Sequence, residues 1–545
     1  MSNVAYFCME YGLDPSFPIY SGGLGILAGD HMKSVGDLRA PVTGIGLFWS
    51  EGYTRQIIGK NGQIKDEYPK TDRTPLQRVK LKKKLSVTVK GKKVALRAWR
   101  VTQFTHATLY LLEPEDKGDR WITTRLYGGD EKDRLAQEIV LGVGGVRLCE
   151  ALGLPIDTYH FNEGHAVFAG LELIRSGKFG GDTLDEKLTN LRPHVVFTTH
   201  TPVPAGNETH DLKIMKKMSA DCGLDAHELE AIGGAPFSMT VAGLRMARIA
   251  NGVAELHGET AREMWKNVEH AAPIIAITNG VHAPTWQDAR IRAALVADKT
   301  KSVQDAQLWA AHQQMKQELA IAIEERTGAK LHLEKLVIGF ARRAATYKRA
   351  DLILGDEASL AKLFDRGIQI VYSGKAHPRD TAGKAIVSKL VDAAHSHPQN
   401  VIFLENYDMT LGALLTRGTD IWLNNPRRPL EASGTSGMKA AMNGVPNLSI
   451  LDGWWPEGCE HGVTGWKIGD ADPTDDAFDD AAAAKIDARD RELLYRTLDS
   501  DVLPAYADRV KWVKIMRASI EMSQWRFSSD RMIEDYLAKI YSPGR

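Results

Sequence analysis

Short apolar runs alternate with longer amphipathic stretches along most of this chain, a pattern typical of α/β layering. The apolar runs predict buried strands at residues 195–199, 274–278, 336–340, 368–372, 401–404, 420–423 and 447–451. Between them, apolar residues recur at helical spacing, which predicts helices at 306–326, 352–364 and 382–394. Because the strands are apolar throughout rather than alternating, the sequence predicts parallel sheets that are covered on both faces.

The predicted strands fall into two groups, the first ending near Thr278 and the second beginning near Leu336. The sequence therefore predicts an α/β fold of two doubly wound, mainly parallel-sheet domains, with an N-terminal domain at 1–280 and a C-terminal domain at 281–520. Such sheets bind ligands outside the carboxyl ends of their strands. We expect the active site in the cleft between the two domains.

Residues 79–112 depart from this pattern, because lysines and apolar residues alternate there with a period of two. The alternation predicts antiparallel strands inserted in the N-terminal domain, with a turn at Lys90-Gly91-Lys92. The seven lysines of this stretch fit either a patch that binds a polyanion or a solvated sheet face. The period of two favours the solvated face.

Charge and cysteine content exclude several classes of function. The 545 residues carry 69 Lys+Arg against 69 Asp+Glu, so no net charge favours nucleic acid or an anionic membrane as a partner. The four cysteines form no Cys-x-x-Cys pair, which argues against a disulfide framework, a zinc ribbon or a redox motif. No apolar run reaches 18 residues and the first residues lack a basic segment, so we expect a soluble, cytoplasmic protein.

Two groups of residues at predicted element ends could bind anions. In the segment at 20–30, glycines before a helix would expose backbone N–H groups, although such turns more often serve packing. Arg342, Arg343, Lys348 and Arg349 lie within eight residues, directly after a predicted strand, and would repel one another without a neutralising anion. For these four cations, phosphate is favoured over ordinary surface ion pairs.

A third group is the segment at 429–444, in which small residues and two glycines precede a helical stretch that contains Lys439. The exposed N–H groups and hydroxyls could hold a phosphate. Methionines and alanines surround the lysine, so burial would favour its neutral amine, the form that reacts with an aldehyde to give a Schiff base. The alternative is a surface lysine that extends its amine into solvent.

The histidines show no metal-binding pattern. His160 and His165 are five residues apart, which is the wrong spacing for two ligands on one helical face, and no His-Glu-x-x-His motif is present. We therefore predict no metal site. His200 follows one predicted strand, while Asn279 follows another and leads to Trp286, so these residues stand where α/β sheets contact ligands.

Several segments resemble blocks of the glycogen/α-glucan phosphorylases, and they occur in family order. They are YSGGLGILAGDHMKS, HFNEGHAVF, FTTHTPVPAG, NGVAELHGE, ITNGVHAPTW, GFARRAATYKR, YSGKAHP, FLENYDMTLG and EASGTSGMKAAMNGVPNLSILDGWWPEG. The resemblance spans nearly the whole chain, and residues 521–545 are similar to the closing helix of the family. It implies the GT-B fold, with pyridoxal 5'-phosphate bound by the domain at 281–520 and the closing helix packed on the domain at 1–280.

The same resemblance implies a role for individual residues around the cofactor. Lys439 resembles the lysine that binds pyridoxal phosphate as a Schiff base. Thr435 and Ser436 match positions near the cofactor phosphate. Arg342 matches a cation beside that phosphate, and Trp286 matches an aromatic residue near the ring.

The resemblance also implies the substrate site. Arg343, Lys348 and the amide of Gly23 match the site of the substrate phosphate. The positions that hold the glucosyl unit match Glu431, Ser433, Gly434, Asn279 and His200. The expected catalytic residues are Lys439, Arg343, Lys348 and His200.

The implied reaction is the reversible phosphorolysis of a terminal α-1,4 bond in maltodextrin or glycogen. It consumes inorganic phosphate and releases glucose 1-phosphate with retention at the anomeric carbon. The cofactor phosphate would relay a proton to inorganic phosphate, which protonates the departing oxygen. Clustered cations suit this chemistry, because two adjacent phosphates need neutralising. Family members are commonly homodimers, so a homodimer is the implied assembly.

The sequence departs from the family in its length and near the cofactor lysine. It is much shorter than the animal, plant and common bacterial members, so we expect reduced glycogen contacts and no animal-type regulation. Arg342 stands where lysine is usual, and Ser436-Gly437 replaces Gly-Asn, which preserves charge and small size. The alternatives are a nucleotide-sugar-dependent glucosyltransferase of the glycogen synthase type, which needs no Schiff-base lysine, and a non-catalytic glucan-binding relative.

Overall fold

A computed structural model of the protein describes residues 2–59, 62–203, 206–295, 301–470 and 480–542, and these form two units. The first unit comprises Met1–Tyr53, Tyr68–Thr278 and Ser529–Arg545. The second unit comprises Thr54–Glu67 and Asn279–Ser528. In the part of the chain that is described, no helix combines the length and apolar character needed to cross a lipid bilayer.

Strands and helices alternate along the chain. The strands are β1 (Val4–Phe7), β2 (Val42–Leu47), β3 (Arg55–Ile58), β4 (Ile64–Glu67), β5 (Leu76–Arg78), β6 (Leu85–Val89), β7 (Lys92–Val101), β8 (Thr108–Pro114), β9 (Thr158–Asn162), β10 (Val195–Thr198), β11 (Thr209–His210), β12 (Phe237–Ser238), β13 (Ile249–Gly252), β14 (Ile274–Ala276), β15 (Leu336–Ala341), β16 (Ile368–Ser373), β17 (Val401–Leu404), β18 (Ile421–Asn424), β19 (Asn447–Ser449) and β20 (Gly465–Lys467). The α-helices are α1 (Gly23–Asp37), α2 (Glu131–Leu152), α3 (Phe168–Ser176), α4 (Leu184–Leu191), α5 (Leu212–Met218), α6 (Ala226–Gly233), α7 (Met239–Met246), α8 (Glu255–Trp265), α9 (Ala283–Trp286), α10 (Ala289–Ala294), α11 (Lys301–Thr327), α12 (Glu357–Asp365), α13 (Thr381–Ser396), α14 (Met409–Gly418), α15 (Thr435–Met442), α16 (Trp455–Gly458), α17 (Asp480–Thr497), α18 (Leu503–Ala507), α19 (Arg509–Ser523) and α20 (Ser529–Asp535).

The first unit is built on a mixed sheet with the strand order β14-β13-β10-β9-β1-β2-β8-β7-β5, in which β6 also pairs with β7. Neighbouring strands from β14 to β8 are parallel, whereas β7 runs antiparallel to β5, β6 and β8. The strands β1, β9 and β10 are buried along their whole length, as parallel strands covered on both faces must be. The apolar pattern predicts β10 but does not single out β9, because His160 and Asn162 interrupt its apolar residues.

The edge of this sheet carries the lysine-rich stretch. Strands β6 and β7 form the expected antiparallel hairpin, and Lys90 and Gly91 make its turn with φ angles of 52° and 72°. Since β8 pairs with the other side of β7, β5 and β6 line one edge, with the lysines at 80–84 between them. These lysines are exposed. Exposed lysines discourage an edge from pairing with another strand, so a solvated face agrees with both the pattern and the structure.

The second unit has a parallel sheet with the strand order β17-β16-β15-β18-β19-β20. Strands β15 to β19 reproduce the runs predicted between 336 and 451 to within two residues at either end. The helix predicted at 352–364 is interrupted, because Leu352–Leu354 form a 3-10 turn before α12. The carboxylate of Asp356 caps α12 by accepting hydrogen bonds from the N–H groups of Ala358 and Ser359.

The hairpin β3–β4 belongs to the second unit, although it lies early in the sequence. Gln56 of β3 forms two hydrogen bonds with the backbone of Ala376, of 3.0 and 2.9 Å. Asp66 of β4 forms an ion pair of 2.7 Å with Lys384. The units are thus not the continuous segments 1–280 and 281–520 expected from the sequence. Apolar periodicity shows which residues are buried, but it does not show which unit buries them.

The segment Ser529–Arg545 belongs to the first unit, and buried hydrogen bonds tie it to the sheet there. The Tyr541 hydroxyl donates to Nδ1 of His160 over 2.7 Å, and Nε2–H of His160 donates to Oγ1 of Thr198 over 2.8 Å. The Thr198 hydroxyl donates in turn to Oδ1 of Asn251 over 2.7 Å. Burial holds the pKa of His160 well below its usual value, so the ring is neutral and Nδ1 can accept the Tyr541 proton.

Tyr541→Phe should destabilise the protein, because it leaves the buried Nδ1 of His160 without its donor. We expect the free energy of unfolding to fall by about 1–3 kcal/mol. Urea-induced unfolding followed by circular dichroism measures the change. Tyr110→Phe is the matched control, since the Tyr110 side chain is only partly buried. Equal unfolding curves for Tyr541→Phe and the wild type would contradict the role of this hydrogen bond.

Candidate functional site

The residues singled out by the sequence fall in both units. Gly23 and His200 belong to the first unit. The second unit contains the others, which are Asn279, Trp286, Arg342, Arg343, Lys348, Glu431, Ser433, Gly434, Thr435, Ser436 and Lys439. Most of those in the second unit follow the carboxyl ends of β15 and β18.

A buried carboxylate brings two of the predicted cations together. The Lys348 Nζ lies 2.8 and 3.1 Å from the two carboxylate oxygens of Glu431. The Arg342 Nη2 lies 3.2 Å from Oε1 of Glu431. Lys348 and Glu431 are only 8% and 7% exposed, so this is a charge cluster inside the protein rather than a surface ion pair.

The cluster keeps Glu431 ionised. Burial alone would raise the pKa of Glu431, but the charges of Arg342, Lys348 and Arg343 hold it below its usual value. The Arg343 side chain is exposed, whereas Arg342 and Lys348 point at the carboxylate. Arg343 is therefore the predicted cation that is most accessible to an anion from solution.

Arg349, the fourth predicted cation, forms hydrogen bonds with backbone carbonyls instead. Its guanidinium donates to the carbonyls of Asn425 and Pro426, both over 2.8 Å. It also pairs with Asp487 and Asp490, again at 2.8 Å. Arg349 thus anchors the segment that leads toward Glu431, and it does not face the Glu431 carboxylate.

Lys439 lies on α15, and its side chain is buried. The residue is 6% exposed, and its Nζ stands 3.4 Å from the centroid of the Trp286 ring. Such a distance is close even for a cation–π contact, in which the electron-rich face of the ring attracts the ammonium. The alternative of a solvent-extended surface lysine is therefore excluded for Lys439.

The start of α15 exposes donors and acceptors. Gly434 precedes the helix with a left-handed φ of 87°, and no side chain caps the first turn. The Trp422 Nε1–H donates to Oγ of Ser436 over 3.2 Å. The Ser433 hydroxyl is buried and has no hydrogen-bond partner among the described residues. Uncapped N–H groups at Thr435 and Ser436, beside a partnerless hydroxyl, favour a bound anionic ligand here.

Asp452 is a site residue that the sequence reading missed. It is fully buried, and its carboxylate accepts hydrogen bonds from the N–H groups of Glu431 and Gly453, over 2.9 and 2.8 Å. Burial, together with the charge of Glu431, raises the pKa of Asp452 to about 7. Its position directly after a predicted strand was a usable signal, because such strand ends carry functional residues in parallel sheets.

In the first unit, His200 lies at the end of β10 beside a second missed residue. The His200 Nε2–H donates to Oδ1 of Asn162 over 2.8 Å. The His200 backbone N–H donates to Oε2 of Glu163 over 2.7 Å. Burial lowers the pKa of His200 to about 3, so the ring is neutral. Glu163 has a φ of 83°, a strained conformation of the kind that concentrates at functional sites.

The glycine-rich segment before α1 requires glycine at Gly25. A Cβ at Gly25 would lie 2.5 Å from Oε2 of Glu10, whereas one at Gly23 would meet no described atom within 4 Å. The Glu10 carboxylate accepts hydrogen bonds from Ser21 N–H and from the Tyr127 hydroxyl, over 2.6 and 2.7 Å. What Gly23 offers a ligand is therefore its backbone N–H, at the start of a helix without a side-chain cap.

One group of side chains with metal-ligand chemistry lies elsewhere in the described part of the first unit. Atoms of Glu138, Glu208 and His210 lie within 4.8 Å of one another. The Arg134 guanidinium, however, stands 2.9 Å from a carboxylate oxygen of Glu138 and 2.9 Å from one of Glu208. Arg134 already supplies the positive charge that these two carboxylates need.

Comparisons with known proteins agree on one family. The model of the carbohydrate phosphorylase family matches residues 289–457. A maltodextrin phosphorylase of Thermococcus litoralis is 38% identical over 594 residues, which cover 99% of this chain and 70% of the relative. A glycogen phosphorylase of Aquifex aeolicus is 34% identical over 99% of this chain and 86% of its own length. A Methanocaldococcus jannaschii protein described as uncharacterized is 34% identical over 99% of this chain and 100% of its own length.

Asp452→Asn should change how stability depends on pH. Between pH 5 and 7 the unfolded wild-type chain has ionised Asp452, while the folded chain retains the proton because its pKa is about 7. Wild-type stability should therefore fall relative to the variant as pH rises, by about 1 kcal/mol per pH unit. Urea-induced unfolding of both proteins at pH 5, 6 and 7 gives the difference. A difference that does not change with pH would show that Asp452 is not protonated in the folded protein.

Proposed function

Because the chain belongs to the carbohydrate phosphorylase family, we propose that it is an α-1,4-glucan phosphorylase. It removes terminal α-1,4-linked glucose from maltodextrin or glycogen with inorganic phosphate and releases glucose 1-phosphate with retention, and the reaction is reversible. The observation that carries this proposal is the buried Lys439 amine on the face of Trp286, on the helix that follows the Glu431 cluster.

The chemistry of the residues around Lys439 fits pyridoxal 5'-phosphate. Lys439 offers the amine that holds the cofactor, and Trp286 offers an aromatic face beside it. The uncapped start of α15 offers N–H groups and hydroxyls at Thr435 and Ser436 for the cofactor phosphate, and Arg342 offers a cation. When bound, the cofactor supplies a phosphate group that exchanges a proton with the substrate phosphate.

The substrate phosphate is assigned to Arg343, Lys348 and the amide of Gly23. Arg343 is exposed and can form a bidentate pair with a phosphate. The ion pair with Glu431 holds Lys348 in place until an incoming anion shares the lysine. These cations would neutralise inorganic phosphate beside Glu431, which is assigned to the glucosyl unit.

The glucosyl unit is assigned to Glu431, Ser433, Gly434, Asn279 and His200. Glu431 offers carboxylate oxygens to sugar hydroxyls, and Ser433 offers a buried hydroxyl. His200 is neutral, so it can hydrogen-bond to the sugar without placing a charge there. Because these residues come from both units, the proposal includes the GT-B architecture of the family, in which two α/β units serve one site.

Lys439→Ala should abolish cofactor binding and phosphorolysis. The test is phosphate-dependent release of glucose 1-phosphate from maltoheptaose, together with the absorbance of the purified protein and borohydride labelling of the peptide that contains Lys439. Lys511→Ala, at an exposed lysine of α19, is the control and should match the wild type. Labelling at another lysine would refute the cofactor assignment. A colourless wild-type protein that transfers glucose from a nucleotide sugar would establish the glucosyltransferase alternative instead.

Soluble maltodextrins should be used as well as glycogen, per chain end. The alignments with the Thermococcus litoralis and Aquifex aeolicus relatives span 594 and 606 residues against 545 here, so those two proteins carry internal segments that this chain lacks. Remote sugar units accelerate the reaction only where subsites hold them. Kinetics on maltotetraose, maltoheptaose and glycogen, normalised to non-reducing ends, test this expectation. A kcat/KM for glycogen that exceeds the maltodextrin value by more than about tenfold would reveal a polymer-binding surface.

A further inference from the structure

The contact between Lys439 and Trp286 joins two segments that are distant in the sequence. Trp286 ends α9, a single turn that starts at Ala283 and contains Pro284. A helix of one turn does not fix the orientation of a large ring by itself. Something outside α9 must therefore hold Trp286 against the Lys439 amine.

The side chain of Asn443 connects the two segments directly. Its Nδ2 donates to the carbonyl of Lys439 over 2.8 Å and to the carbonyl of Trp286 over 2.9 Å. Its Oδ1 accepts from the N–H of Asp288 over 2.8 Å. Two carbonyls on one side and an N–H on the other leave the amide with a single orientation.

The position of Asn443 allows its side chain to contact Lys439 and Trp286 at the same time. It is fully buried and directly follows α15, whose backbone end is completed by Gly444 with a φ of 74°. The Gly444 N–H donates to the Ala441 carbonyl, so the helix already ends in a stable way without the Asn443 side chain. The amide can therefore serve as a bridge rather than as the helix cap.

Two other side chains, those of Gln287 and Arg417, also form hydrogen bonds around Trp286 and can be compared with Asn443. Gln287 Nε2 donates to the Met442 carbonyl over 2.8 Å, which also links this segment to the end of α15. Arg417 donates to the carbonyls of Thr285 and Trp286, over 3.1 and 3.2 Å. The Asn443 amide differs from both, because it contacts the carbonyls of Lys439 and Trp286 together.

We propose that Asn443 is a positioning residue, which sets the Trp286 ring against the Lys439 amine and so fixes the amine for its ligand. Asn443 touches neither substrate nor cofactor in this assignment and acts through Trp286. The inference rests on the proposed function for the identity of that ligand. The geometry of the three residues, however, is a property of the protein itself and can be tested without the ligand.

The test measures how accessible the Lys439 amine is. Cofactor-free full-length protein is acetylated briefly with acetic anhydride at pH 8, and modification of Lys439 is quantified by mass spectrometry relative to the exposed Lys511. Asn443→Ala should raise the Lys439 rate by at least about fivefold, because the ring no longer covers the amine. Gln287→Met removes a hydrogen bond of the same length from the same helix end and should leave the rate unchanged.

A double-mutant cycle separates positioning from general loosening of the helix end. Trp286→Leu should raise Lys439 acetylation, and adding Asn443→Ala to it should give no further increase, since Asn443 acts through the ring. A full further increase in that background would overturn the proposal. So would an unchanged rate in Asn443→Ala, or an equal rise in Gln287→Met. If Asn443→Ala fails to fold by circular dichroism, Asn443→Ser should give an intermediate rate, and a wild-type rate would count against the proposal.

A second measurement addresses the ligand. Release of pyridoxal phosphate from loaded Asn443→Ala protein should be at least about tenfold faster than from the wild type, and release from Gln287→Met protein should be unchanged. Equal release rates for Asn443→Ala and wild type would overturn the role toward the cofactor. If wild-type protein takes up no pyridoxal phosphate, the proposed function fails, whereas the acetylation series still decides the role of Asn443.

Discussion

Burial of charge at the carboxyl edge of the second sheet is the constraint on which the rest of the site depends. Glu431 can stay ionised there only because Lys348 and Arg342 bring opposite charge within hydrogen-bonding distance. The chain must therefore end β15 and β18 at one edge and hold the loop before Glu431 firmly. Arg349 secures the backbone of that loop, and Asp452 secures the N–H of Glu431. Each of these supports is itself buried, so the site consists of mutually dependent polar groups with little tolerance for loss of any one of them.

Much of this arrangement could be predicted from the sequence, because strand ends are visible as the ends of apolar runs. The runs at 336–340 and 420–423 predict that the residues after them share one edge, and Arg342 does contact Asn424 there. The apolar neighbours of Lys439 predict its burial, which the structure shows. The alternation at 79–112 likewise predicts the hairpin of β6 and β7. In each case a local period or a local composition carries the information.

The remaining features depend on partners chosen over long distances, which local patterns do not encode. The sequence groups Arg349 with the other cations, but only the fold directs it to Asp487 and Asp490. No local pattern near Glu431 predicts that its backbone N–H will donate a hydrogen bond to Asp452, 21 residues later. The sequence alone places the hairpin β3–β4 with the surrounding N-terminal residues. Its few apolar residues do not reveal that they pack against Ala344 and residues after it.

The same hairpin bears on how the protein folds as it leaves the ribosome. Gln56 is synthesised 320 residues before Ala376, its partner in the second unit, and His160 appears 381 residues before Tyr541. Domains usually fold one after another, in the order in which they are translated. Here the first unit lacks Ser529–Arg545 until the end of synthesis, so it cannot finish folding before the second unit has been translated. The early hairpin β3–β4 must likewise wait for its partners in the second unit during most of translation.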